Sequence, residues 1–179
     1  GAAFHCVNRD GAPLDKMADL YAQAFVIFGM ANAFAVEKKA AYRTKALGIL
    51  SYLEKERRAE GGGFTETKDG GIQYQSNPHM HLFEAALAWI EVDPDPVWRR
   101  LAGDIFALCR DKFVDKNTGL LAEHFGAGWS ILRENGRFVF EPGHQYEWAW
   151  LMNRYERLTG DSVGNLARQR RRPVRINRL

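Results

Sequence analysis

The chain has 179 residues, 46% hydrophobic and 26% charged, enough for one soluble domain with its own core. No apolar run reaches the roughly 18 residues of a membrane span, and no basic start precedes an apolar leader, so neither a membrane nor a secretory class is expected. The net charge of +3 comes from the end of the chain: Arg168 to Leu179 holds six Arg and no acid, which leaves −3 on the rest and no nucleic-acid footprint there.

Residues 1–18 read as a short strand, an Asp-Gly turn and a loop. They lack an initiator Met, so the chain is expected to begin inside a longer protein. Asp19 is placed to cap a helix running to Val36. A second helix is expected over 39–58, followed by a turn-rich hairpin over 61–71. Asn77 caps and Pro78 opens a third helix to Val92. Asp93-Pro94-Asp95-Pro96 ends it, and a fourth helix covers 97–113. A hairpin is expected at 132–140. Pro142 opens a fifth helix to Leu158, and Thr159-Gly160-Asp161 introduces a sixth. The division expected is a helical domain over 1–167 and a basic tail, disordered or foreign to the domain, over 168–179.

Three stretches resemble one another: DLYAQAFVIFGMA from Asp19, NPHMHLFEAALAW from Asn77 and EPGHQYEWAWLMN from Glu141. They recur about every 60 residues, a spacing that marks repeated units. Each unit is a loop or hairpin followed by two helices, the first strongly apolar and so buried on most sides. The pattern predicts an inner row of helices backed by an outer one, an all-α toroid with short β-hairpins in its loops. The starts of the inner helices would ring one mouth.

Two of the inner helices carry His-x-x-Glu at their start, His81 with Glu84 and His144 with Glu147. This spacing puts imidazole and carboxylate on one helical face. The positive end of the helix dipole disfavours imidazolium there, and neutral imidazole is what a general base needs. A buried His–Glu hydrogen bond that only fixes packing is the competing reading. None of His79, His81, His124 and His144 falls into a ligand motif, and His79 and His81 point apart at i,i+2, so no metal and no cofactor is expected. Cys6 and Cys109 lack metal spacing and read as free thiols of a reducing, cytoplasmic compartment. No nucleophile elbow, phosphate loop or dinucleotide fingerprint is present in the sequence. The Trp and Tyr content, with Trp148 and Trp150 flanking Glu147, suits stacking on sugar faces as well as core packing. Glu123, His124, Phe125 and Trp129 are expected to line the same mouth.

NPHMHLFEA and EPGHQYEWAW resemble signature segments of the N-acylglucosamine 2-epimerase family of sugar epimerases and isomerases. DLYAQAFVIFGMA and LAEHFGAGW fit it as well, and the resemblance covers about residues 1–167. It implies an (α/α)6 barrel, of which about three helix pairs are here, acting without a metal on an opened sugar through an enediol. It implies His144 as one of two acid/base histidines and Glu147 as its hydrogen-bonding carboxylate. It implies His81, Asn77 and Tyr21 as sugar contacts, and we group Glu84, Glu123 and Trp150 with them as substrate-binding. The expected partner is a monosaccharide or small oligosaccharide, with no nucleic acid or membrane. Exposed helix faces would offer a route to a homodimer. The chain departs from the family pattern at Gln23, where many relatives have His. An Arg that precedes the PGH segment would be Arg133 or Arg137. The second acid/base His lies in a segment of the family without a counterpart here. Members are often labelled mannose-6-phosphate isomerase, but no phosphate cradle is evident, so an unphosphorylated sugar such as mannose is favoured. Two alternatives stand beside this reading. One is a glycoside-processing enzyme using Glu84, Glu123 or Glu147. The other is an inactive binding or assembly fragment.

Overall fold

The structure, a computed structural model, describes residues 1–68 and 71–162. The basic tail and the expected sixth helix lie outside the described residues. A hairpin of β1 (Cys6–Val7) and β2 (Pro13–Asp15) is followed by α1 (Leu20–Glu37) and α2 (Ala40–Glu56). Next come β3 (Glu66–Lys68), β4 (Gly71–Gln75), α3 (Ser76–Val92) and α4 (Pro96–Leu108), then β5 (His124–Phe125) and α5 (Pro142–Thr159). Helices α1 and α5 flank α3, while α2 lies on α1 and α4 on α3. The result is an inner row, α1–α3–α5, with an outer layer behind it, the alternation of an α/α toroid.

The helix starts follow local chemistry. Asp19 caps α1 by accepting from the Ala22 N–H at 2.6 Å. Asp95 caps α4 through the Val97 N–H, with Pro96 in the first turn. The third start differs from expectation: α3 begins at Ser76 after an uncapped Gln75, so Asn77 sits inside the first turn. Strand β4 runs directly into α3, pairing Gln75 with His124, and ladder bonds replace a side-chain cap. The fourth helix also ends early, at Leu108, and continues as a π turn over Cys109–Phe113.

Helix α1 corrects one expectation. At 18 residues and mean hydropathy 1.3 it is long and apolar enough to cross a membrane. Only 28% of it is buried, on the side that carries Leu20, Ala24, Ile27 and Ala31, so burial on most sides holds for α3 and not for α1. The Trp89 indole N–H donates to the Ile27 carbonyl at 3.0 Å. Trp89 stacks on Trp98, whose N–H donates to Asp93 at 2.9 Å. Arg43 of α2 closes on the same Asp93 at 2.7 Å, tying the outer layer to the α3–α4 turn. The outer flank of α5 is open, with Tyr146 65% and Trp150 51% exposed.

His79 joins the 61–75 hairpin to the core. Its Nδ1–H donates to the Gln75 carbonyl at 2.8 Å and its Nε2 accepts the Phe64 N–H at 2.9 Å. Gly63 (φ +66°) passes so close that a Cβ there would lie 2.7 Å from His79 Nε2, so a side chain is excluded. Trp129, Phe113 and Phe64 enclose the ring. Burial pushes His79 down from 6.5 to about 4.

That depressed value makes stability depend on pH. The folded protein keeps His79 neutral while the unfolded chain takes up a proton near 6.5. The contribution is complete above that pH and drains away as pH falls toward about 4, roughly 3 kcal/mol in all. Urea unfolding at pH 7 and pH 4 should show this loss in the parent and a smaller one in His79→Gln. Equal losses would refute it.

Candidate functional site

Aligning the inner helices by their N-caps, Asp19, Gln75 and Glu141, shifts the middle repeat by two residues from its sequence alignment. The fourth residue after each cap then has a common task. Gln23 pairs with both backbone groups of Ala3, accepting at 2.7 Å and donating at 2.9 Å. Gln145 does the same to Leu121, at 2.9 and 3.0 Å. His79 likewise accepts the Phe64 N–H, but gives its own N–H to the Gln75 carbonyl. Each of these side chains binds backbone upstream of its own helix. Gln23 is therefore a buried structural clamp, not a group facing the mouth.

The sixth residue after each cap is Phe25, His81 or Glu147, and these three converge. The rings of Phe25 and His81 are 4.6 Å apart, and His81 Nδ1 lies 3.9 Å from Glu147. Glu84, one turn beyond His81, is 3.4 Å from the same nitrogen. Tyr21 meets the His81 ring edge-on at 5.1 Å. Tyr21 and Phe25 remain 42% and 39% exposed, an aromatic wall beside the imidazole. Asn77 lies one turn before His81, and its side-chain oxygen is buried without a hydrogen-bond partner among the described residues.

The two His-x-x-Glu pairs are thus not equivalent, because His81 shares its place with Glu147. Nor does His144 take Glu147 as partner. Side chains lean toward the N-terminus of their helix, and His144, in the first turn of α5, leans back over the preceding loop. There its Nδ1 meets Glu123 at 3.0 Å. The other Glu123 oxygen accepts the Ser76 hydroxyl at 3.0 Å. Glu123 is buried and both its oxygens are occupied, so it stands behind His144 and not among the substrate contacts.

Three further expectations are corrected. Trp150 projects from the open flank of α5 under the Arg154 guanidinium, lining a shallow cavity with Tyr146 and Asn153. Its place on the helix is set by the period of 3.6, which carries it away from the buried face. Trp148, Phe125 and Trp129 are core residues, and the Trp129 N–H donates to the Gly62 carbonyl at 2.8 Å. Arg133 is committed to Asp115 and lies over Phe138, while Arg137 is exposed in the 134–137 hairpin. Phe25 and Ser76 were not singled out in sequence; the i,i+4 relation of Phe25 to Tyr21 was the available signal for the former.

His81, Glu84 and Glu147 each offer a ligand atom within 4.8 Å of the others, the one such group among the described residues. Three ligands of this kind can hold a divalent cation with open positions. The same three can hydrogen-bond a vicinal diol.

Glu66 positions this wall. Its buried carboxylate accepts the N–H of Leu20 at 2.8 Å and of Tyr21 at 3.4 Å, placing negative charge at the start of α1. Glu66→Ala should lower unfolding free energy by about 2–3 kcal/mol in urea titration, since charge-assisted bonds to buried donors are lost. A change near zero would show that α1 is placed without it.

A family model described as N-acylglucosamine 2-epimerase matches residues 1–172. The chain is 39% identical over 160 residues to a mannose-6-phosphate isomerase of Rhizobium meliloti (strain 1021), covering 87% of this chain and 41% of that protein. It is 27% identical over 166 residues to a D-mannose isomerase of Pseudomonas cannabina pv. alisalensis, covering 85% and 40%. The solved cellobiose 2-epimerase from Bacillus thermoamylovorans B4167 has the same fold, with a TM-score of 0.82 at 20% identity over 94% of this chain and 46% of that one. The chain spans about four tenths of the length of the curated relatives it matches.

Proposed function

This chain belongs to the N-acylglucosamine 2-epimerase family, and from that premise we propose that it carries one acid/base histidine and the hydroxyl-binding wall of a sugar isomerase or epimerase. The observation that carries this reading is the convergence of His81, Glu84 and Glu147 beside two exposed aromatic rings, with His144 one turn before Glu147 on α5.

The chemistry follows from the groups. The sugar must be open, so that its carbonyl acidifies the neighbouring C–H. His144 removes that proton, and the electron pair moves onto the carbonyl oxygen to give an enediolate. Return of the proton to the other carbon, with the hydroxyl proton passing from one oxygen to the other, interconverts aldose and ketose; return to the opposite face of C2 gives the epimer. A base matched to neutral pH serves either outcome. Glu147, Glu84 and His81 hold hydroxyls in register, and Tyr21 and Phe25 cover an apolar sugar face. An unphosphorylated mannose-type sugar is the substrate class proposed.

Glycoside cleavage is less well supported. It needs two carboxylates about 5–10 Å apart with the bond between them. Glu84 and Glu147 are closer than that, within 4.8 Å, with an imidazole between them. Glu123 is closed off by Ser76 and His144.

The test is proton NMR of D-mannose, D-fructose, D-glucose and N-acetylglucosamine with this chain in D2O. Loss of the C2 proton signal is expected with a mannose-type sugar, and His144→Ala should slow it by about 100-fold or more. Exchange undiminished in that variant would remove His144 from the mechanism. No exchange with any of these sugars, from a folded sample, would sink the proposal that this chain carries the activity.

A further inference from the structure

Behind His144 lies a hydrogen-bonded chain that the sugar contacts do not explain. Ser76, fully buried at the start of α3, donates its hydroxyl to Glu123 Oε2 at 3.0 Å. Glu123 Oε1 meets His144 Nδ1 at 3.0 Å. The Glu123 backbone is held as well: its carbonyl accepts the Ser76 N–H at 3.1 Å and its N–H donates to Val139 at 3.0 Å. Two residues upstream, Leu121 is clamped by Gln145, which follows His144 on α5. The carboxylate therefore has little freedom to turn away from the imidazole.

A carboxylate only accepts hydrogen bonds. With Ser76 donating to one oxygen, the other requires a proton on His144 Nδ1. The ring's remaining nitrogen, Nε2, is then the basic one. We propose that Glu123 and Ser76 are positioning residues that lock His144 into the Nδ1–H tautomer, leaving Nε2 to exchange protons with substrate; the second half of this statement rests on the sugar isomerase reading. When Nε2 takes up a proton, the imidazolium forms beside a buried carboxylate already aligned with it, the arrangement by which an acid partner supports a histidine base. The carboxylate makes the lock directional, because both its oxygens accept and neither donates, while the Ser76 hydroxyl holds it in place and can do either.

This directionality supplies the test. In Glu123→Gln the side chain offers His144 an NH2 as well as an oxygen, and the Ser76 hydroxyl can donate to the one or accept from the other, so Nδ1–H is no longer enforced. An Nε2–H population should then appear at His144. In Ser76→Ala the carboxylate still only accepts, so Nδ1–H should persist. Long-range proton–nitrogen spectra of the full chain labelled with 15N-histidine read the tautomer directly, with His144 assigned by its loss in His144→Gln.

The expected results are Nδ1–H in the parent and in Ser76→Ala, and a mixture with Nε2–H in Glu123→Gln. An Nε2–H or averaged ring in the parent, or an unchanged tautomer in Glu123→Gln, would overturn the proposal. The parent measurement stands even if a variant does not fold. Rates separate this proposal from the reading beneath it. With the tautomers as expected, C2 proton exchange should fall at least about 100-fold in Glu123→Gln with KM unchanged. Correct tautomers with no exchange by the parent would refute the sugar reading and leave the positioning intact. Exchange by a parent with the wrong tautomer would do the reverse.

Discussion

Helix α3 is buried along nearly its whole length, including its first turn, where Ser76, Pro78 and His79 have almost no exposed surface. A helix start normally leaves its first N–H groups and polar side chains to water. Here protein takes the place of water for Ser76 and His79, while the Asn77 side-chain oxygen has no partner among the described residues. Strand β4 delivers the chain with its ladder bonds already made, Glu123 receives Ser76, and Phe64 and Gln75 satisfy the two nitrogens of His79. The loops before α3 and α5 are drawn onto the helix starts by this need, and the loop that carries Glu123 is brought behind His144 as a result.

The same solution is repeated around the inner row. The fourth residue after each cap is a side chain able both to donate and to accept, and each binds backbone upstream of its helix. Two helical positions on, the chain has turned by about 200° in an α-helix, so the sixth residue faces the other way, toward the mouth. One position therefore secures the loops and another builds the site. This division explains how residues as different as Phe25, His81 and Glu147 come to share one place.

Helix periods, the capping role of Asp19, the proline start of α5 and the alternation of apolar and amphipathic helices were all legible in the sequence, because each depends on neighbours within a turn or two. At the mouth, Tyr21, His81, Glu84 and Glu147 were legible and Phe25 was not, while Glu123 and Trp150 were expected there and lie elsewhere. The start of α3 was misplaced because Asn77-Pro78 is a good cap in isolation, while pairing of Gln75 with His124, far along the chain, began the helix earlier. Trp148 and Trp129 were read as candidate sugar contacts because composition does not say which indoles are enclosed.

The sequence by itself determined that three apolar helices recur with His and Glu at their starts, since periodicity and local capping chemistry are written in adjacent residues. Which carboxylate serves which imidazole was decided only by the tertiary structure. Spacing paired His144 with Glu147 and set His81 with Glu84. Packing gave His144 to Glu123 and brought Glu147 across to His81. The physical reason is that a side chain finds its partner by distance across elements, and two helices and a loop must already be packed before that distance exists.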